Sequence, residues 1–140
     1  MVTFPAIHLD SAWRYFPVED MDSAYGVSQL DESSWGVLPQ LVDYPRDIFS
    51  FYHELQLRRT FDVPPIGDVC LRFHLNLQVA PSGTQLFING WHIGTVQHGQ
   101  ALTADVTDLI SLEDNLILIK LARKGDLHSL TLQPIPCAVE

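Results

Sequence analysis

Apolar residues recur at every second position in the clearest stretch of the chain. Val69, Leu71, Phe73, Leu75, Leu77 and Val79 alternate with polar positions that include Arg72, His74, Asn76 and Gln78. Side chains of a strand point alternately to its two faces, so this pattern predicts a strand with one face on a core. Its other face either meets water or forms a recognition surface. Leu57, Phe61 and Val63 repeat the alternation, with Arg59 breaking the apolar face, and turn residues Pro64-Pro65 and Gly67-Asp68 close that strand. Two β-prone runs, Thr84 to Ile88 and Trp91 to Val96, flank Asn89-Gly90. A type I′ hairpin turn needs positive φ at both central positions, and Asn-Gly supplies it cheaply.

Ala101 to Val106 follows as a further strand. Thr107 stands where a cap would open one helical turn through Asp108, Leu109 and Ile110, with its hydroxyl free to take an orphan N–H. After the Glu113-Asp114-Asn115 turn, Leu116 to Leu121 is apolar at nearly every position. That reads as an interior strand covered on both faces, where Leu118→Asp is expected to destroy cooperative unfolding. Residues 1–11 show no period and are expected to run extended along the surface. Trp13 to Phe16 begins the first strand, with Trp13 in the core. Val37-Leu38-Pro39 is a short strand ended by Pro39, and Leu127 to Leu132 is the last, before Pro134 and Pro136 end regular structure. About eight short strands with Gly, Pro and Asn turns, and no long helical period or repeat, predict a two-sheet antiparallel β-sandwich.

One stretch is irregular and rich in rings. Gln40 to Gln56 holds Tyr44, Phe49, Phe51 and Tyr52 beside Pro45 and Arg46. Such a loop either folds back over one end of the core or meets a partner or a sugar.

Several pieces of the chain resemble, in order, the N-terminal sugar-binding domain of family 2 glycoside hydrolases, the β-galactosidase and β-glucuronidase group. They are Trp13-Arg14-Tyr15-Phe16, Asp31 to Trp35, Arg58 to Pro64, Phe87 to Gly94, Asp105 to Ile110 and Glu113 to Leu118. The resemblance covers roughly residues 12–122 and implies a galactose-binding-like jelly roll. The chain departs from the family pattern at Gln97-His98-Gly99-Gln100-Ala101, where the family carries an aromatic after the loop Gly. It departs again after the Asn-led strand, where it closes quickly through Leu127 to Leu132.

Composition narrows the partners. With 140 residues the chain is expected to be one domain, residues 1–140, able to bury a core without staples. Eight Lys and Arg against 17 Asp and Glu give a net charge of −9, which repels nucleic-acid phosphates and anionic lipid surfaces. No basic n-region precedes an apolar run, and no stretch approaches the roughly 20 apolar residues of a membrane span, so a cytoplasmic protein is expected. Cys70 and Cys137 show no framework spacing, which favours two unpaired thiols over a disulfide tying the last residues to the sheet.

No chemistry of catalysis is legible. None of the six histidines stands at a metal-ligand spacing from another, and the acidic loop Glu19-Asp20-Met21-Asp22 reads as a solvated turn rather than a calcium site. No metal or cofactor is expected. Glycoside hydrolysis needs two carboxylates held across a sugar ring, and the resemblance places these in a barrel domain that has no counterpart here. The expectation is therefore a non-catalytic carbohydrate-binding module. Its rivals are a protein-interaction or homo-oligomer-forming jelly roll and a fragment of a glycoside hydrolase. Sugar binding needs ring faces for stacking and donors and acceptors for hydroxyls, so Trp91, His92, His98, Tyr44 and Tyr52 are the expected ligand residues.

Overall fold

The computed structural model describes residues 4–18, 35–50, 52–63 and 70–137, and these form an all-β sandwich of two antiparallel sheets. In chain order the strands are β1 (Ile7–His8), β2 (Ser11–Val18), β3 (Gly36–Gln40), β4 (Glu54–Phe61) and β5 (Leu71–Val79). The second half supplies β6 (Gln85–Ile88), β7 (Trp91–Thr95), β8 (Leu102–Asp105), β9 (Asn115–Leu121) and β10 (His128–Pro136). One sheet runs β1-β10-β5-β8 and the other β3-β2-β4-β9-β6-β7. Helical structure among the described residues is confined to short 3₁₀ turns at Leu41–Asp43, Arg46–Ser50 and Thr107–Leu109. Glu19 to Asp22, Asp31 to Ser34, Phe51, Pro64-Pro65 and Gly67-Asp68 lie outside the described residues.

The alternation in β5 works as read. Leu71, Phe73, Leu75 and Leu77 are buried and face Leu57, Ile117, Ile119 and Leu86 of the other sheet in one continuous core that includes Trp13. On the polar face, Arg72 donates to Asp105 (Nε–Oδ2 2.6 Å) and Asn76 accepts from Thr103 (3.0 Å), so β8 engages much of the polar set. The Thr107 hydroxyl and N–H, followed by Arg72, hold the Asp105 carboxyl well below the usual carboxylate range. A carboxylate with a lowered folded pKa contributes stability that is present above pH ~4 and lost as pH falls through the folded value.

Asn89 and Gly90 adopt φ of 48° and 86°, as a type I′ turn requires. Asn89 does more than turn the chain. Its Nδ2 donates to the Leu109 carbonyl (2.7 Å) and to Asn115 Oδ1 (3.0 Å), while its Oδ1 accepts from the Leu116 N–H (2.8 Å). Asn115 is fully buried; its Oδ1 also takes the Ser111 N–H and its Nδ2 reaches the Ser111 and Phe61 carbonyls. The two amides thus tie the hairpin, the 3₁₀ turn and the start of β9 into one network. Asn115→Leu would orphan several buried groups at once, and a cost of about 3 kcal/mol is expected. Urea denaturation checks this: the midpoint should fall with an unchanged slope. A midpoint at the wild-type value would mean that water replaces the amide.

Several expectations are corrected. β9 lies in the interior of its sheet but is not dry on both faces. Ile117, Ile119 and Leu121 are fully buried, whereas Leu116, Leu118 and Lys120 are half-buried on the outer face. There Leu118 packs with Phe16, Val18 and Trp35, so a charge at Leu118 meets a boundary rather than the core. Thr107 is inside its 3₁₀ turn rather than ahead of it, and its hydroxyl takes the Phe73 N–H (2.8 Å) instead of one from the turn. Pro39 sits within edge strand β3. Residues Ile7 and His8 pair with Leu132 and Thr131 rather than lying free on the surface.

The largest correction concerns the C-terminal strand. β10 runs through Pro134 to Pro136, pairing residue by residue with β5 down to Leu71. The Leu9 N–H bonds the Leu130 carbonyl, so even-numbered residues of β10 turn their backbone polar groups towards β1, away from β5. At Pro134 and Pro136 two-residue β1 has already ended, and the missing N–H groups cost nothing. This register brings Cys137 opposite Cys70, with Cys137 N–H on the Cys70 carbonyl (3.0 Å). The two cysteines form a disulfide, Cα–Cα 5.5 Å, where unpaired thiols were expected.

Candidate ligand-binding cleft

The aromatic stretch folds back on the sandwich in part and lines a concavity in part. Tyr44 folds inward and is buried; its hydroxyl donates to the Gly125 carbonyl (2.5 Å) and accepts the Gly125 N–H (2.8 Å). This pins the turn after β9 against the 40–53 segment. Pro45 breaks the first 3₁₀ turn from the second, whose end is closed by the Tyr52 N–H on the Ile48 carbonyl (3.0 Å). His53 N–H then reaches the Val18 carbonyl (3.2 Å) and hands the chain to β4.

Between these two segments lies a cleft of about 610 Å³. One wall carries Arg46, Asp47, Phe49, Ser50, Tyr52 and His53, and the other Ala122, Arg123 and Lys124. Arg46 lies over the Tyr44 ring (5.0 Å to the centroid) and contacts the exposed Asp126 at 3.3 Å. Rings, hydroxyls and cationic donors therefore converge on one concavity. Among the described residues no group of three or more His, Cys, Asp or Glu side chains is poised to hold a metal ion.

The five ligand residues expected from sequence are not brought together. Tyr52 lines the cleft. Tyr44 lies beneath it and offers no ring face, because burial and its two bonds to Gly125 commit it to structure. Trp91 is 62% exposed but stands beside the Asn89-Gly90 turn, near the start of β9, whereas the cleft lies beyond its end, about 20 Å away along a seven-residue strand. His92 is turned to the opposite face from Trp91, as neighbouring strand residues must be, and its ring packs on Phe87 (5.1 Å). His98 is exposed in the loop after β7, at the cleft's end of the sheet but two strands away from β9. Arg123, Lys124 and His53 were missed. In sequence Arg123-Lys124-Gly125-Asp126 is a polar turn like any other, and its alignment with the aromatic segment depends on Tyr44 reaching Gly125.

Solved structures with this architecture include several glycoside hydrolases. The chain superposes on β-glucuronidase 2 of Bacteroides uniformis with a TM-score of 0.74 at 18% identity, covering 94% of this chain and 18% of that one. A β-glycosidase of Bacteroides vulgatus gives 0.68 at 16% identity, covering 94% and 20%. A glycosyl hydrolase family 2 member of Bacteroides cellulosilyticus gives 0.68 at 15% identity, covering 94% and 21%. This chain has the fold of a domain of family 2 glycoside hydrolases. It spans about a fifth of those enzymes' length, and the resemblance read from the sequence stands at the level of fold. No family model and no curated protein matches the sequence.

Proposed function

We propose that this family 2-like domain binds carbohydrate without hydrolysing it, and that it does so in the cleft between the 40–53 segment and the turn after β9. The observation that carries the reading is the convergence there of the Phe49 and Tyr52 rings with Ser50, His53, Arg123 and Lys124. Apolar ring faces stack on pyranose rings while side-chain donors fix hydroxyls, and the cleft's volume is within the range of small-molecule sites. Asp47 is the one carboxylate in the described lining, whereas hydrolysis by paired carboxylates needs two across the scissile bond.

Trp91 favours a second reading. It is the one Trp, Tyr or Phe exposed among the described residues and opens β7, which stands at the end of the six-stranded sheet among the described strands, where an edge can pair with a second chain. A glycan array and light scattering on wild type, Tyr52→Ala and Trp91→Ala separate the two. Glycan binding by a monomer, lost in Tyr52→Ala and kept in Trp91→Ala, is the expected result. Silence on the array, with a dimer that Trp91→Ala dissociates, would replace sugar binding with association.

The disulfide bears on where this happens. Such bonds persist in oxidising compartments, which argues against the cytoplasmic expectation and for the periplasm or the cell exterior. Mass spectrometry of alkylated protein from its native source should find no free thiol; two labelled cysteines would restore the cytoplasmic reading.

A further inference from the structure

The residues that lead into β9 form a second concavity, at the other end of that strand from the cleft. Val63, Phe73, Ile110 and Leu112 line a pocket of about 280 Å³, which Thr107 and Ser111 complete. Its polar groups are engaged. Thr107 Oγ1 takes the Phe73 N–H (2.8 Å), the Val63 N–H bonds the Leu112 carbonyl (2.8 Å), and Asn115 bonds both the N–H and the carbonyl of Ser111 (2.7 Å each). These bonds fix the pocket's shape and leave it an apolar lining, with the Leu112 side chain 70% exposed at the rim. The volume is just below the range of small-molecule sites and suits one large side chain. Around this hollow the chain is acidic. Asp62 adjoins Val63, Asp108 adjoins Thr107, and Glu113 and Asp114 follow Leu112; all four are exposed, and the Asp114 N–H bonds Asp62 Oδ1 (2.8 Å). Every Lys, Arg and His of the chain is among the described residues, and the ion pairs there lie elsewhere, Arg46 with Asp126 and Arg72 and His74 with Asp105. Four unpaired carboxylates gain nothing for the fold, yet they make a negative rim about an apolar hole.

We infer that this pocket docks a segment of a partner protein that carries one large apolar side chain flanked by Lys or Arg. The apolar side chain fills the hollow beside Leu112, and the flanking cations meet Asp62, Asp108, Glu113 and Asp114. A desolvated anchor in a rigid pocket supplies most of the binding energy of such a contact, while the charged rim speeds encounter and rejects acidic competitors. A second copy of this chain is a poor occupant, because it brings the same four carboxylates and a net charge of −9 to the contact. The pocket and the cleft lie at opposite ends of β9, so a basic partner and a saccharide would not compete.

Panning a phage-displayed library of random dodecapeptides on the 140-residue chain tests this. The enriched peptides should carry Phe, Leu, Trp or Met between Lys or Arg residues. Fluorescence anisotropy of the most enriched peptide should give an affinity about ten-fold lower for Leu112→Ser, and for Asp108→Lys combined with Glu113→Lys. It should be unchanged for Tyr52→Ala in the cleft, and should weaken on the order of several-fold between about 50 and 300 mM salt. Leu112, Asp108 and Glu113 are exposed, so both pocket variants should melt close to wild type. Enrichment of acidic or wholly polar peptides would overturn the inference, as would equal binding by wild type and both variants, or no enrichment at all. A dimer in sedimentation that Leu112→Ser dissociates would give the pocket to a second copy and overturn it too.

Discussion

Ile119→Asp should leave no cooperative unfolding transition at all. Ile119 is fully buried in the middle of β9, with Leu57 opposite it on β4 and Leu86 opposite it on β6. All three side chains point into the single core that the two sheets share. A carboxylate there sits among apolar side chains, and burying it costs several kcal/mol on top of the lost apolar contacts. Domains of this size hold a total of about 5–15 kcal/mol, so the variant should collapse into an ensemble without fixed packing. Near-ultraviolet circular dichroism and a thermal melt of the purified variant measure this. Leu118→Asp is the informative control, because Leu118 is half-buried on the outer face beside Phe16, Val18 and Trp35. It should melt cooperatively at a lower temperature. Equal damage at Leu118 and Ile119 would show that the outer face is as dry as the inner one.

Breaking the disulfide has the second-largest expected effect. The bond links residues 67 apart in the chain, and closing a loop of that length restricts the unfolded ensemble by about 4 kcal/mol on the chain-entropy estimate. Nothing in the folded state needs to change, since the cysteines are already opposite one another in the β5–β10 ladder. Thermal melts with and without reductant should therefore differ by roughly 10 °C for the wild type. Cys137→Ser should melt at the lower value in both conditions. A reductant-insensitive wild type would mean that the bond constrains no more of the unfolded chain than local β5–β10 pairing already does.

Much of the architecture was determined by local rules that act over a few residues. The period of two in Leu71 to Val79 can bury one face only as a strand, and Asn89-Gly90 can take positive φ at both positions only as a tight turn. Each of these acts within a window that the sequence displays directly, and so the sandwich was legible before any coordinates. The prolines misled because a proline's meaning depends on whether a strand lies on its N–H side. At Pro134 and Pro136 none does among the described residues, a fact set by the two-residue length of β1 at the other end of the chain.

The candidate site was decided almost wholly by tertiary structure. Tyr44 and Gly125 are 81 residues apart, and their two hydrogen bonds, with the Arg46–Asp126 pair beside them, set Arg123 and Lys124 facing Tyr52 across the cleft. Aromatic content marked Tyr44, Tyr52 and Trp91 alike, yet one is buried, one lines the cleft and one stands at the far end of β9. A ring carries the same hydrophobic signal wherever it goes. Whether it becomes core or surface depends on sheet order and strand register, which are properties of contacts between distant segments and have no image in the residues on either side of it.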